Sequence, residues 1–225
     1  MSDDKATAAN VPADEFGGNY VITIGRQFGS GGRELGKMLA ERLGIDYYDK
    51  ELLAEAAKRA GVHPKFFEEK DERFPSFLNG IFSFSMGCTP VCYYTGSSAI
   101  SDDGLYKSIS DFLLETAKKK SFVVVGRSAD YILRHHPRCV NIFIHAPVED
   151  CVRRITARND AIDPEKARAL AEKTNRWRSE YYNFFTDKAW GDASSYHLTF
   201  DSSHMPMEKY ADVVETYLRG RGIVK

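Results

Sequence analysis

Short apolar runs separated by segments of helical periodicity organise the chain. Val21, Ile22, Thr23 and Ile24 form the first run, largely β-branched and without alternation, which predicts a strand covered on both faces in a parallel sheet. Ile45 to Tyr48, Phe122 to Val125, Val140 to Ile144 and Tyr196 to Phe200 read the same way, and each ends in polar residues or glycine. Between them, Leu35, Met38, Leu39 and Leu43 recur at helical spacing. Further helices are predicted over Lys50 to Ala60, Ser108 to Lys119, Ala129 to His135, from Val148 outward, from Asp163 with Pro164 in its first turn, and over Met207 to Leu218. This alternation predicts a doubly wound parallel α/β sheet with ligand groups at the carboxyl ends of its strands. Gly29 to Arg33, Asp49 and Arg127 would then share one edge.

The turn after the first strand carries the candidate chemistry. Gly29, Gly31 and Gly32 can adopt positive φ and leave room for an anion, so successive amides of the turn and of the following helix can face inward on a phosphate. Spacing separates the competing readings. The dinucleotide pattern GxGxxG, begun at Gly29 and Gly31, ends on Glu34, too large for close helix-to-strand packing, although Asp49 stands about 20 residues on, where a ribose-binding acid is expected. The Walker pattern GxxxxGK[ST], aligned on Gly31, puts Gly32 at the lysine, Arg33 at the hydroxyl and Arg26 at the first glycine. A structural turn without a ligand is the third alternative.

Composition narrows the setting. With 225 residues, 43 % of them hydrophobic, the chain suits one substantial α/β domain with a small appendage. The 31 basic and 32 acidic residues leave a net charge of -1, which argues against a general nucleic-acid or membrane-surface binder. Residues 1–18 are small and polar with no apolar core, and read as a disordered tail. Four cysteines do not make a disulfide framework, and Cys88 and Cys92 have no second pair at metal spacing, so reduced thiols in a cytoplasmic protein are expected. Phe74 to Ser101 contains no charged side chain, but prolines, glycines and serines interrupt it too often for a spanning helix.

The phrases ITIGRQFGSGGRELGKMLAERLGIDYYDKELL, VVVGRSADYILR and RSEYYNFFTDKAWGD, in that order, resemble the cytidylate kinase-like family of P-loop proteins, over roughly Tyr20 to the C-terminus. The resemblance implies a five-stranded P-loop core over 19–225, an acceptor-side insertion over 62–107 and an arginine-bearing lid over 153–192. It implies transfer of the γ-phosphoryl of ATP, with magnesium, to a nucleoside monophosphate, CMP being the namesake acceptor. Small-molecule nucleotides would be the partners. Such chemistry rests on positioning and charge neutralisation, so amide donors and arginines are sought.

By the resemblance, Arg26, Gly29, Ser30, Gly31, Gly32 and Arg33 match the phosphate loop. Arg127, in a Gly-Arg pair closing the third strand, matches the arginine that grips the acceptor phosphate, and Asp49 the acid that orients the acceptor. Asp49 could equally cap the helix from Lys50, and Arg127 could support a strand-end carboxylate. Arg154, Arg158, Arg176 and Arg178 are the lid candidates, although any single one could be a solvated helix position; Arg153 lies on the same predicted helix. Asp201 and Ser202 fall where related kinases place the base. Tyr181, Tyr182, Phe184, Phe185 and the Trp190-Gly191-Asp192 turn read as lid packing. The insertion could be buried within the chain, form a shallow base pocket, or cover a homodimer face.

Replacement of the Walker lysine and hydroxyl by Gly32 and Arg33 puts turnover in question. Arg33 or Arg26 could supply the lost charge; no side chain is predicted as a direct metal ligand, though Asp49 could help hold the ion through water. A nucleotide-binding regulatory protein of the same fold, with weak or no catalysis, is the alternative. A dinucleotide-dependent oxidoreductase is a third class.

Overall fold

The computed structural model describes residues 16–49, 102–158 and 162–225. The chain divides into two compact units, residues 1–49 with 113–225, and residues 50–112. The first holds a parallel sheet of β1 (Val21–Arg26), β2 (Asp46–Tyr48), β3 (Phe122–Val125), β4 (Cys139–His145) and β5 (Leu198–Asp201), in the order β2-β3-β1-β4-β5. Helices α1 (Gly32–Leu43), α3 (Ala129–Ile132), α4 (Val148–Arg158), α5 (Pro164–Thr186) and α6 (Met207–Gly220) belong to it. Helix α2 (Asp102–Lys119) begins in the second unit and enters the first at Leu113.

The sheet forms where the apolar runs placed it. Val21, Ile22, Ile24 and all of β3 are buried, as the absence of alternation requires for a sheet covered on both faces. Register pairs Ile22 with Val123 and Val140, and Ile24 with Val125 and Ile142. Leu35 and Leu39 of α1 meet Val214 and Leu218 of α6 in the core over that sheet. Each fully buried leucine contributes about 1.5–3 kcal/mol relative to exposure. Gly44, at φ 63°, caps α1 by donating its amide to the Ala40 and Glu41 carbonyls. Asp163 begins α5 as its pattern predicts: the carboxylate accepts from the Lys166 amide at 2.9 Å, with Pro164 in the first turn.

Several boundaries differ from expectation. Phe16, inside the segment read as tail, is buried, with its ring 4.1 Å from that of His136. Helix α2 starts at Asp102 rather than Ser108, taking residues expected in the insertion. Helix α3 stops at Ile132 rather than His135. The tail over 1–15, the helix over 50–60, the insertion over 62–101, the uncharged stretch 74–101 and Cys88 with Cys92 lie outside the described residues. Among the described residues no helix is long and apolar enough to cross a membrane.

The strand order also separates the glycine-loop readings. In the dinucleotide-binding arrangement the order is 3-2-1-4-5-6, whereas here β3 lies between β2 and β1. The dinucleotide reading is set aside.

Candidate functional site

Beyond Arg26 the chain leaves β1 through Gln27, Phe28, Gly29, Ser30 and Gly31 into α1. Gly29 and Gly31 sit at φ 84° and 90°, which L side chains rarely adopt. A Cβ on Gly29 would stand 2.8 Å from the carbonyl oxygen of Cys151, so the loop lies directly against α4. Among the described residues, the amides of Gly29, Gly31, Gly32 and Arg33 have no acceptor and remain available to an anion at the positive end of α1.

Ser30, expected among the phosphate-binding residues, points the other way. Its hydroxyl is buried between the carbonyls of Gln27 and Ile144, each at 3.0 Å. Ser202 is likewise internal: its hydroxyl donates to the Ser30 carbonyl at 2.7 Å. It therefore braces the loop from within the fold. Asp201 beside it accepts from the amide and hydroxyl of Ser203, and the hydroxyl chiefly draws the Asp201 carboxyl below its usual range.

Helices α4 and α5 are seated on the loop. Phe28 packs into the small apolar core of Val152 and Ile155 on α4 and Ala167 and Ala171 on α5. Its amide donates to Asn175 Oδ1 at 2.7 Å, and its ring lies 5.5 Å from the Arg178 guanidinium. Neither Phe28 nor Asn175 was singled out from sequence; Phe28 is the one large apolar side chain in the loop, while Asn175 gives no signal there.

The four arginines expected in a lid part company. Arg178 turns inward and donates to the Arg26 carbonyl at 3.1 Å. Arg154 is committed to Ser202, with Nη1 on the hydroxyl at 2.9 Å and Nη2 on the carbonyl at 2.6 Å, so it braces the exit of β5. Arg158 donates back to the Arg154 carbonyl and Arg176 is exposed on α5. Arg153 pairs with Asp150 on its own helix. The aromatic block behaves as packing: Trp190 meets Phe143 edge-on at 5.3 Å, the tilted rings of Tyr181 and Phe185 lie 4.8 Å apart, and Tyr182 donates to Asp130 at 2.7 Å.

At the carboxyl ends of β1, β2 and β3, four guanidinium groups converge on Asp49. Arg33 Nε lies 2.5 Å from Asp49 Oδ2 and Arg26 Nη2 lies 3.8 Å from Oδ1. Arg127 and Arg178 are within electrostatic reach of the same carboxylate. Asp49 is buried, and among the described residues it is the one ion-pair partner these arginines have. Desolvation, then repulsion from the other arginines, draws Arg178 well below its usual range; desolvation first and the neighbouring cations next bring Arg26 down to about 10. Burial also lowers Arg127. Arg127 is held in an unusual corner, since Gly126, Arg127 and Ser128 adopt φ of 79°, 63° and 51° in succession.

Among the described residues no group of three or more acidic, histidine or cysteine side chains could hold a metal. With the Ser30 hydroxyl committed inward and Asp49 engaged by two arginines, these residues do not fit a protein-held magnesium ion.

The model of the cytidylate kinase-like family matches residues 21–204. No curated protein matches the chain. An uncharacterized protein from Eubacterium ventriosum ATCC 27560 is 26 % identical, with TM-score 0.67 over 89 % of this chain and 99 % of that one. A shikimate kinase from Bacteroides thetaiotaomicron, 12 % identical, aligns with TM-score 0.50 over 89 % of this chain and 98 % of that one, a likeness of fold.

Proposed function

We propose that this chain, which belongs to the cytidylate kinase-like family and has the P-loop kinase fold, transfers the γ-phosphoryl group of ATP to a nucleoside monophosphate, with CMP the leading acceptor. The observation that carries this reading is the set of four arginines facing one carboxylate. Such an excess of cations, three of them largely buried, favours further negative charge beside it, and a donor triphosphate meeting an acceptor phosphate supplies it.

The charge balance also favours a phosphate as the acceptor. In the reaction the bond from Pγ to the β,γ-bridging oxygen breaks and a bond from Pγ to an acceptor phosphate oxygen forms. A phosphate monoester is largely dianionic at pH 7, so its oxygen arrives without a proton to remove. A hydroxyl acceptor needs a base to take its proton. Asp49, the carboxylate at this spot, is already ion-paired with Arg33 and Arg26. Arg127 and Arg178 are the groups suited to grip the acceptor phosphate in bidentate fashion, and the free amides of Gly31, Gly32 and Arg33 those suited to the donor.

Incubation with ATP, magnesium and a panel of monophosphates, followed by chromatography for diphosphates, tests the reading. A diphosphate is expected from at least one acceptor, at a rate reduced at least tenfold in Arg127→Ala, since a lost charged contact is worth roughly that factor. No diphosphate with any acceptor refutes it. The replacement of lysine and hydroxyl by Gly32 and Arg33 favours a second reading, a regulatory protein that binds nucleotide without turnover. That reading predicts thermal stabilisation by nucleotide in the absence of product.

A further inference from the structure

Gly32 stands where the Walker pattern has lysine, and the structure gives a reason for the glycine. A Cβ at Gly32 would meet Arg26 Cβ at 2.7 Å and Cγ at 2.9 Å. The stem of Arg26, from the last residue of β1, thus fills the space that a side chain on the first residue of α1 would occupy. Its head reaches onward. A Cβ on Gly126 would collide with Arg26 Nη1, and Nη2 approaches Asp49. Glycine thus leaves room at both ends of the path this side chain takes: at the loop for the Arg26 stem, and at the end of β3, where Gly126 also sits at φ 79°, for its head. Arg26 Nε is buried and has no hydrogen-bond partner among the described residues. An arginine with an unsatisfied buried donor, flanked by Arg33, Arg127 and Arg178, is arranged for an acceptor that comes from outside the protein.

We propose that the chain has exchanged two positions of the Walker loop: the cation is carried by Arg26 at the end of β1, the glycine by position 32 at the start of α1, and Arg26 contacts the phosphoryl group passing from donor to acceptor. The side chain runs from the loop amides to the carboxyl ends of β2 and β3, so it spans the gap between the donor phosphates and the acceptor-side arginines. Its planar fork can bridge oxygens of two phosphates, where a lysine offers a point charge. It forms no bond to phosphorus and contributes charge neutralisation alone. This inference rests on the phosphoryl-transfer reading.

Calorimetric titration with inorganic tripolyphosphate separates the two. Arg26→Gln keeps the stem over Gly32 and removes the charge; affinity is expected to fall roughly 10- to 100-fold, the loss of one ionised hydrogen-bonded contact. The double variant Arg26→Ala with Gly32→Lys restores the Walker arrangement and is expected to bind at least tenfold more tightly than Arg26→Ala alone. Wild-type affinity in Arg26→Gln overturns the exchange while leaving the kinase reading intact, as does a cooperatively folded double variant no tighter than Arg26→Ala. If the double variant does not fold, Arg26→Gln alone decides. Failure of the wild-type protein to bind tripolyphosphate overturns both.

Discussion

Asp49→Asn removes one negative charge and almost no volume, so it tests directly how the arginine cluster is balanced. A fully buried ion pair broken at one partner costs about 3–5 kcal/mol, and an exposed one about 0–1 kcal/mol. The Asp49 side chain is 7 % exposed and Arg26 15 %, but Arg33 is 44 % exposed and recovers part of its loss in water. An intermediate loss of about 2–3 kcal/mol follows. For a chain of this size that lowers Tm by roughly 4–12 °C. The diagnostic part is the response to anions. With Asp49 neutral, the four cations have no internal counter-charge, so pyrophosphate should raise the Tm of Asp49→Asn by more than it raises that of the wild type. Differential scanning fluorimetry with and without pyrophosphate measures both numbers. A variant as stable as wild type, or one whose pyrophosphate increment is no larger, would show that the arginines are not balanced by Asp49.

Other perturbations act on the supports of the loop. Phe28→Ala removes a ring from the α4–α5 core and should cost about 2–4 kcal/mol in urea unfolding, with weaker nucleotide binding; unaltered values of both would detach loop from lid. Gly29→Ala meets the Cys151 carbonyl at 2.8 Å with φ at 84°, and is expected to lose at least about 1–2 kcal/mol. Ser202→Ala strips the donor from the Ser30 carbonyl and should cost about 1–3 kcal/mol, a loss that equilibrium unfolding would reveal. His136 is buried against Phe16, and desolvation chiefly brings its pKa down to about 4. The unfolded chain therefore takes up this proton near pH 6.5 while the native state resists until about 4, so the contribution is complete above about 6.5 and fades as pH falls towards 4, by about 3 kcal/mol. A His136→Asn variant that keeps the same slope between those values would contradict the assignment.

Much of the architecture was legible because burial writes itself into residue type. The unbroken apolar run of Val21 to Ile24 could only suit a covered strand, and Asp163-Pro164 marked a helix start by chemistry that acts locally. The strand-end rule brought Asp49, Arg127 and the loop to one edge before any coordinate was known. Direction was not legible. Arg154 and Arg178 lie on the neighbouring helices α4 and α5, yet one braces Ser202 and the other faces the cluster, a difference set by side-chain paths through tertiary space. Ser30 and Ser202 carry the hydroxyls that phosphate loops are searched for, but here those hydroxyls satisfy buried carbonyls. The reciprocal fit of Arg26 and Gly32 could not be read either, because it depends on a gap between residues six apart in sequence.

The corner at Gly126, Arg127 and Ser128 carries a consequence for anyone engineering thermostability into this scaffold. Left-handed backbone at arginine and serine costs roughly 1–2 kcal/mol per residue, so a redesign that straightened the bend would gain tolerance to heat. The same redesign would re-aim the guanidinium away from its neighbours. Heat tolerance and the arginine cluster are thus expected to pull against each other at these three positions, and a screen that selects for melting temperature alone should enrich for proteins that fold well and have lost the placement of Arg127 beside Asp49.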